Sequence, residues 1–433
     1  MRKVIVFLVI ASVGLLLSSP VMAKKTKLTL WQAFATDPEN AYIKEKTMEF
    51  NKAHPEIQVE YSLERWETRR EKVMLAYGRG LLPDLIMADS PSIPEWVAMG
   101  IIAPLDEIDP EMVTKWKPRF VPEIWEVSSY QGHLYQVPSF VDCNPFLVYN
   151  KKVLEEAGFT KPPETWEELI AVAQKVNKPG YAGILLAATK IYLDMNAIEG
   201  MIYANGGRWL SEDGEQVVIN GPGAVDVLKL WVDLVRKYKV TEPGVTETNY
   251  MDATMAFFQG KGAMVLCQSW ADVMRLESGA PEDYPYGLAF APRRKTLSGK
   301  FPRASFVMGA MNGVFITTTS KHKKEAMVYA DLFASEEILR GWIEKVTTFR
   351  VPVVKSAFES AAFQQQYPDL YVLWKKGELF REALPQPAFN GISECEMNLA
   401  DAWQAALLGI KEPQEALDEC KQLSQDVIDS LKF

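Results

Sequence analysis

One stretch in the first half of the chain limits the possible folds more than any other, because it reads as the passage from one domain into the next. It covers residues 132–176. Within it, an apolar segment at 146–149 gives way to Asn150. A short helical pattern then ends at Gly158, and a proline pair follows at Pro162 and Pro163. Because proline cannot continue a helix, this order predicts a strand that leaves one domain, a short crossing segment and the start of a second domain.

The helix after the proline pair carries a complete N-terminal signal. Thr165 can accept a hydrogen bond from the backbone N–H of Glu168, whose carboxylate can bind the N-cap backbone in return. Apolar residues then recur at helical spacing, at Trp166, Leu169, Ile170, Ala173 and Val176. This pattern predicts an amphipathic helix with a capping box, packed on the second domain by one face.

The order of these pieces resembles the hinge region of the family 1 extracellular solute-binding proteins of bacterial ABC importers, the group that includes maltose-binding protein. Residues 260–270 are similar to the segment of that family in which a strand ends and delivers an aromatic side chain to the cleft. The resemblance extends from the first predicted strand to the terminal helices. It implies an α/β, two-lobed periplasmic-binding-protein fold, in which each lobe is a mostly parallel sheet flanked by helices and a three-segment hinge joins the lobes.

The resemblance also implies a division of the chain. Residues 24–138 and 308–347 would form the N-terminal lobe, and residues 139–307 and 348–433 the C-terminal lobe. Crossings near 137–141, 303–307 and 347–352 would allow the lobes to bend about the hinge without unfolding.

The first 23 residues have the pattern of a secretory signal peptide. Arg2 and Lys3 precede an apolar run at 4–17, and small residues lead to Ala23. A membrane-spanning helix needs roughly 20 apolar residues, and this run is shorter. We therefore expect cleavage after Ala23 and release of a soluble monomer into the periplasm. No cysteine lies near the cleavage point, so we expect no lipid anchor.

Composition and motifs argue against several function classes. The net charge of −9, without a Lys/Arg-rich run, argues against nucleic acid or anionic membrane partners. The GxSxG, HExxH, Walker and GxGxxG motifs are missing, so we expect no enzyme, no cofactor and no metal site. The 56 acidic residues leave a glycosidase carboxylate pair open. The cysteines at Cys143, Cys267, Cys395 and Cys420 contain no CxxC pair, and both one disulfide and buried thiols remain open.

The N-terminal part alternates strand-like and helix-like segments. Strands are predicted at 28–31, 57–61 and 84–87, with helices at 41–53 and 67–78 between them. This βαβαβ order predicts a parallel sheet. Ligands bind beyond the carboxyl ends of the strands of such sheets, which here are residues 31–34, 63–66 and 88–90.

Tryptophans at strand ends are the aromatic candidates for a ligand site, because a sugar stacks its apolar C–H face on a flat ring. Trp31 and Trp66 follow the first two strands, and Trp270 follows the strand predicted at 262–268. The resemblance favours Trp270 most. Trp166 and Trp231 lie on apolar helix faces and are interpreted as core residues.

The polar candidates lie at the same strand ends and at the crossings. The resemblance implies that Asp89, next to Ser90, meets a substrate hydroxyl, although Asp89 could instead cap the helix that begins near Ser92. Asp142 and Asn144 at the first crossing either contact the ligand or bond to hinge backbone. The further candidates are Gly309, which would let backbone approach the ligand, and Arg350, which could clamp it.

These features predict a periplasmic receptor that closes on a sugar or oligosaccharide and delivers it to the membrane permease of an ABC transporter. A receptor for a phosphorylated polyol, such as a glycerol phosphate ester, is the first alternative, with Arg65 and Arg350 as phosphate ligands. A secreted glycosidase is a remote one.

Overall fold

The structure is a computed structural model. It describes residues 25–32, 37–64, 68–267, 271–302, 307–346, 351–381, 383–385 and 387–431. The predicted signal peptide lies outside the described residues, as do Arg65, Trp66, Trp270 and Arg350.

The described strands form three sheets. They are β1 Thr26–Gln32, β2 Ile57–Leu63, β3 Leu85–Asp89, β4 Ser129–Tyr130, β5 His133–Leu134, β6 Gln136–Asn144, β7 Phe146–Asn150, β8 Met264–Cys267, β9 Tyr286–Phe290, β10 Val307–Ile316 and β11 Leu384–Pro385. The large sheet has the order β11-β10-β3-β1-β2, with β6 paired to β10. A smaller sheet has the order β8-β7-β9, and β4 pairs with β5 alone.

Helices cover both sheets. The first ten are α1 Asp37–Ala53, α2 Arg69–Gly78, α3 Ile93–Ala98, α4 Leu105–Ile108, α5 Pro110–Trp116, α6 Pro122–Val127, α7 Lys151–Glu156, α8 Trp166–Val176, α9 Tyr192–Ala204 and α10 Pro222–Val232. The others are α11 Tyr250–Phe258, α12 Ala271–Glu277, α13 Lys323–Ala330, α14 Glu336–Lys345, α15 Lys355–Phe358, α16 Ala361–Gln366, α17 Pro368–Lys375, α18 Ile392–Leu407 and α19 Pro413–Ser430. This mixture confirms the α/β class.

The N-terminal βαβαβ unit is confirmed, with element ends shifted by a few residues. Strand β1 is parallel to both β2 and β3. Leu28 and Leu30 of β1 are fully buried, as is β3 from Leu85 to Ala88 within about 1% exposure. A strand buried on both faces is what helices on both sides of a parallel sheet require. The order of strands therefore places the carboxyl ends of β1, β2 and β3 at one edge.

Pairing directions elsewhere differ from the expected mostly parallel sheets. Strand β10 runs antiparallel to β3 and β6. In the smaller sheet β7 is antiparallel to β8 and to β9. Strands β8 and β9, which α12 connects, therefore run in the same direction, as a strand–helix–strand unit should. Strand β7, which enters directly from β6, lies between them and reverses both pairings.

A separate core lies around the smaller sheet. It contains Trp166 and Trp231, with 8% and 1% exposure, and both are confirmed as packing residues. Trp231 meets Trp403 of α18 edge-to-face, with ring centroids 5.9 Å apart. The capping box of α8 is complete, since Thr165 and Glu168 each bond to the other's backbone N–H. The core that α8, α9, α10, α18 and α19 enclose thus stabilises one lobe around the smaller sheet.

Cys395 and Cys420 lie in this core as buried free thiols. Burial raises the pKa of Cys395 to about 11 and that of Cys420 to about 12, so both stay protonated. The side chains of Cys143 and Cys267 are outside the described set. Among the described helices, none has the length and hydropathy that crossing a bilayer requires.

Candidate functional site

The carboxyl edge of the large sheet brings several predicted residues together. Trp31, at the end of β1, is opposite Ser62 of β2 and Ile86 of β3. Asp89 ends β3, and Ser90 follows it at 5% exposure. The described candidates from this half of the chain therefore lie along one edge, as the strand order predicts.

Trp31 carries a cation on its ring. The ammonium nitrogen of Lys72 lies 4.3 Å from the centroid of the indole. Lys72 also donates a hydrogen bond to Glu64, whose other oxygen accepts from the Ser62 hydroxyl at 2.7 Å. The side chain of Glu64 is only 10% exposed, so its carboxylate is largely shielded from solvent in this ion pair. The contact holds the half-buried indole against the first helical turn of α2 and covers part of one ring face.

Asp89 is held by an ion pair and not by a helix cap. Nη2 of Arg69 donates to Oδ1 of Asp89 at 2.8 Å, and the two side chains are 5% and 13% exposed. The Ser92 hydroxyl donates to the same oxygen at 2.9 Å. The alternative interpretation of Asp89 as an N-cap is wrong, since its side chain makes no capping bond to backbone. Among the described residues, Oδ2 of Asp89 accepts no hydrogen bond, which leaves one carboxylate oxygen for a hydroxyl.

The hinge strands place more polar groups beside this edge. Asn312 of β10 is opposite Asp89 of β3 and Phe140 of β6, and it is 3% exposed. Gln136 donates from Nε2 to the Ala88 carbonyl at 2.8 Å, which ties β6 to the end of β3. The Ser139 hydroxyl is buried and has no hydrogen-bond partner within the described ranges. Buried polar groups are normally paired, so this part of the hinge has capacity for a further hydrogen bond.

Three predicted residues lie in the hinge strands themselves. Asp142 and Asn144 belong to β6, and Gly309 belongs to β10, next to a register shift between Met308 and Met311. Asp142 is 7% exposed and has an interaction partner. The side chain of Asn144 is not described, and its backbone is opposite Val307. These positions lie where β6 and β10 connect the two sheets.

The smaller sheet contributes a second edge. Leu185 pairs in parallel with Val265 of β8, so the two segments leave the sheet in the same direction. The loop that follows Leu185 is anchored at Thr189, whose backbone N–H and hydroxyl both donate to Oδ2 of Asp194. Burial raises the pKa of Asp194 to about 6, although these hydrogen bonds oppose the shift. Gln404 of α18 donates to the Ala188 carbonyl at 2.9 Å.

The sequence analysis missed Glu64, Arg69 and Lys72. Arg69 and Lys72 are three residues apart in α2, so they lie on one face of its first turn and reach two different carboxylates. That spacing was visible in the sequence, but their acidic partners come from two other strands. Trp66, Trp270 and Arg350, which are outside the described residues, stay predictions.

A wide surface groove of about 740 Å³ lies between β9 and α17. Among the cations that line it, Arg294 is paired with Asp226. Asp369 on its wall accepts from the backbone N–H of Leu288 at 3.3 Å. The strand-end groups are absent from its lining, so we place the candidate site at the sheet edges.

Comparison with known proteins gives one family and one fold. The family model for bacterial extracellular solute-binding proteins matches residues 33–338. A putative binding protein of Brucella abortus (strain 2308) is 26% identical over 412 residues, which are 94% of this chain and 93% of the relative.

Two solved structures share the two-lobed fold. One is an ABC transporter solute-binding protein of Thermotoga lettingae bound with α-D-tagatose, at 23% identity and a TM-score of 0.77, over 93% of this chain and all of that one. The other is maltose-bound MalE3 of T. maritima, at 23% identity and a TM-score of 0.78, over 93% of this chain and 99% of that one.

Proposed function

This chain belongs to the bacterial extracellular solute-binding proteins, and from that premise we propose that it is a carbohydrate receptor for an ABC importer. The observation that carries the proposal is the carboxyl edge of the large sheet, where Trp31 and Asp89 lie at the ends of the adjacent strands β1 and β3 and Arg69 holds the Asp89 carboxylate. Sites for sugars combine a flat aromatic surface with groups that accept or donate several hydrogen bonds. The matched structures that hold tagatose and maltose support the same ligand class.

The proposed binding mode uses the groups that remain available at this edge. Oδ2 of Asp89 accepts from a sugar hydroxyl, while Arg69 fixes Oδ1 and so the direction of the carboxylate. A hydrogen bond to a charged group contributes about 1.5–3 kcal/mol. A few such bonds and one stacked ring are enough for micromolar affinity after the cost of association. The half-buried indole of Trp31, which packs beside β3 and carries Lys72 over its ring, would supply its exposed part as the apolar surface.

The charge pattern favours a neutral ligand over a phosphorylated polyol. Both described cations at this edge, Arg69 and Lys72, are already paired with a carboxylate. A phosphate dianion would need additional cations, and the two proposed for it, Arg65 and Arg350, are outside the described residues. The phosphate ester therefore remains the second candidate.

We propose binding without turnover. A glycosidase needs one carboxyl group that holds a proton and a second, ionised one across the bond to be cleaved. Glu64 and Asp89, the carboxylates of the described edge, are each already held by a cation of α2, Lys72 and Arg69 respectively. This arrangement favours a binding role for them over a catalytic one.

The proposed receptor has the lobes and location that the sequence predicts. The N-terminal lobe would comprise 24–138 and 308–347, and the C-terminal lobe 139–307 and 348–433. The signal peptide is removed after Ala23, and the monomer presents its sugar to the permease subunits from the periplasm. Intact mass of the protein from its native host tests this: a chain starting at Lys24 is expected, and a retained Met1 or a lipid adduct contradicts it.

A ligand panel tests the function itself. The mature protein is mixed with tagatose, maltose, maltotriose, ribitol and glycerol phosphate, and thermal unfolding and product formation are followed. A ligand at 100 times its Kd stabilises the folded state by about 2.7 kcal/mol, so a true ligand gives a clear rise in Tm. Stabilisation by a neutral saccharide without product is the expected result. Stabilisation by glycerol phosphate alone supports the second candidate, and hydrolysis of a saccharide overturns the receptor assignment.

A further inference from the structure

One hydrogen bond joins the two halves of the molecule at a point outside the candidate site. Nη1 of Arg70, in the first turn of α2, donates to the hydroxyl of Ser393 at 2.7 Å. The residues are 323 positions apart in the chain. Helix α2 packs beside the large sheet through Val73, whereas α18 belongs to the core around the smaller sheet through Cys395. The contact therefore spans the two lobes.

Both partners of this bond are held by their own lobe. Arg70 donates from Nη2 to Oε2 of Glu95 in α3 at 2.5 Å, which fixes the guanidinium toward Ser393. Ser393 is in the first turn of α18, directly after Ile392, which is 4% exposed. Both side chains are therefore already oriented for the bond in this arrangement, so little rotamer entropy is lost when it forms.

The position of the bond links closure to the candidate site. Arg69, the neighbour of Arg70, holds Asp89 at the edge of the large sheet. At the other end, α18 reaches the loop of the smaller sheet, where Gln404 donates to the carbonyls of Ala188 and Thr246 at 2.9 and 3.1 Å. Ser393 and Gln404 are eleven positions apart on one helix, a rise of about 16 Å. The same two helices thus carry the interlobe bond and the supports of both ligand-binding edges.

We infer that Arg70 and Ser393 are positioning residues that set ligand affinity without touching the ligand, by stabilising the arrangement in which α2 meets α18, and that this arrangement is the closed, binding-competent one. The inference rests on the proposed function only where it concerns affinity. A receptor whose binding-competent arrangement is fractionally populated has an apparent Kd equal to the intrinsic Kd divided by that fraction. Removing the bond lowers the fraction and raises the apparent Kd.

Three variants change the strength of the bond in both directions. Ser393→Ala removes the acceptor, and Arg70→Gln removes the charged donor. Ser393→Asp places a carboxylate opposite the guanidinium, at a helix N-terminus that favours negative charge. The matched controls are Ser430→Ala, whose hydroxyl bonds only within α19, and Arg79→Gln at the end of α2.

Small-angle scattering without added sugar tests the inference independently of any ligand. The expected order of the radius of gyration is Ser393→Ala above the unchanged protein, and the unchanged protein above Ser393→Asp, with both controls unchanged. The double variant Arg70→Gln/Ser393→Ala should match the single variants, since the same interlobe bond is lost in each and the Arg70–Glu95 pair lies within one lobe. Equal radii for all variants would overturn the inference.

Affinity for whichever saccharide stabilises the protein in the panel is the second measurement. Because the bond is partly exposed to solvent, we expect Ser393→Ala to raise Kd only about three- to tenfold, and Ser393→Asp to lower it. An unchanged Kd in both variants contradicts the inference. If no saccharide in the panel binds, the proposed function fails, and the scattering series alone decides the role of Arg70 and Ser393.

Discussion

At the scale of single residues, the candidate site depends on which charges are already satisfied. Asp89 and Trp31 were predictable from the sequence, because a residue after a parallel strand projects beyond the sheet edge. Their partners were not, since Arg69 and Lys72 become neighbours of Asp89 and Glu64 only when α2 packs across three strand ends. Because each of the two cations is paired with a carboxylate, the described part of this edge is polar without an excess of positive charge.

Trp31→Ala should weaken saccharide binding by about 1–2 kcal/mol, the scale of one stacked ring and its buried area. The stability of the unliganded protein should fall little, because the indole is half-buried. Isothermal titration and thermal unfolding measure the two effects. Trp374→Ala, at a partly buried indole bonded to Glu359 in the other half of the chain, is the matched control. An unchanged Kd with a large loss of stability would identify Trp31 as a packing residue.

At the scale of elements, some features are determined by neighbouring residues in the sequence and others by residues far apart in it. The capping box at Thr165 and the apolar faces of α8 and α10 follow from residues within one helix, and all are confirmed. The position of β7 between β8 and β9 was not predictable, because it depends on pairing between strands more than 100 residues apart in the sequence. Local propensity carries no information about such long-range register.

Helix α9 is expected to make the folding stability of the protein depend on pH. Glu199 of α9 is fully buried; Oε1 accepts from Trp209 Nε1 at 2.5 Å, and Oε2 has no partner in the described part of the chain. Burial raises its pKa to about 7, against the opposing bond from Trp209. Burial likewise raises the pKa of Glu242 to about 7.

A raised carboxyl pKa means that the folded protein binds more protons than the unfolded chain between the two pKa values. Folding stability should therefore fall as pH rises from about 4.5, the unfolded value, to about 7, and stay low above it. Between pH 5 and pH 8 the free energy of unfolding of Glu199→Gln, followed through its Tm, should change less than that of the unchanged protein, by an amount on the order of 2–3 kcal/mol. Glu212→Gln at an exposed turn is the control. Identical pH profiles for the unchanged protein and Glu199→Gln would show that Glu199 is ionised throughout.

At the scale of the whole molecule, β6 and β10 pair antiparallel within the large sheet, and β6 leads directly into β7 of the smaller sheet. The sequence predicted crossings near 137–141, 303–307 and 347–352, and the division of the chain into lobes stays a prediction. Long paired strands resist unfolding but can bend and twist, and the register shifts between Met308 and Met311 and between Asn312 and Gly313 mark where the β6–β10 ladder is irregular. Bending there moves the edge with Asp89 relative to the edge with Thr189.

A ligand between the lobes gains contacts to both edges only in the closed arrangement, so binding must shift the population toward closure. We expect the radius of gyration to fall when a saccharide identified in the panel is added, and the change to follow the binding isotherm. Asp142→Asn, in the hinge strand β6, should weaken binding while the loaded protein reaches the same final radius, because the substitution alters a contact and leaves the hinge backbone intact. Its control is Asp369→Asn, on the wall of the distant groove. A saccharide that binds tightly and leaves the scattering curve unchanged would show a rigid pocket. The permease could then not distinguish loaded from empty receptor by shape, and delivery by closure would be wrong.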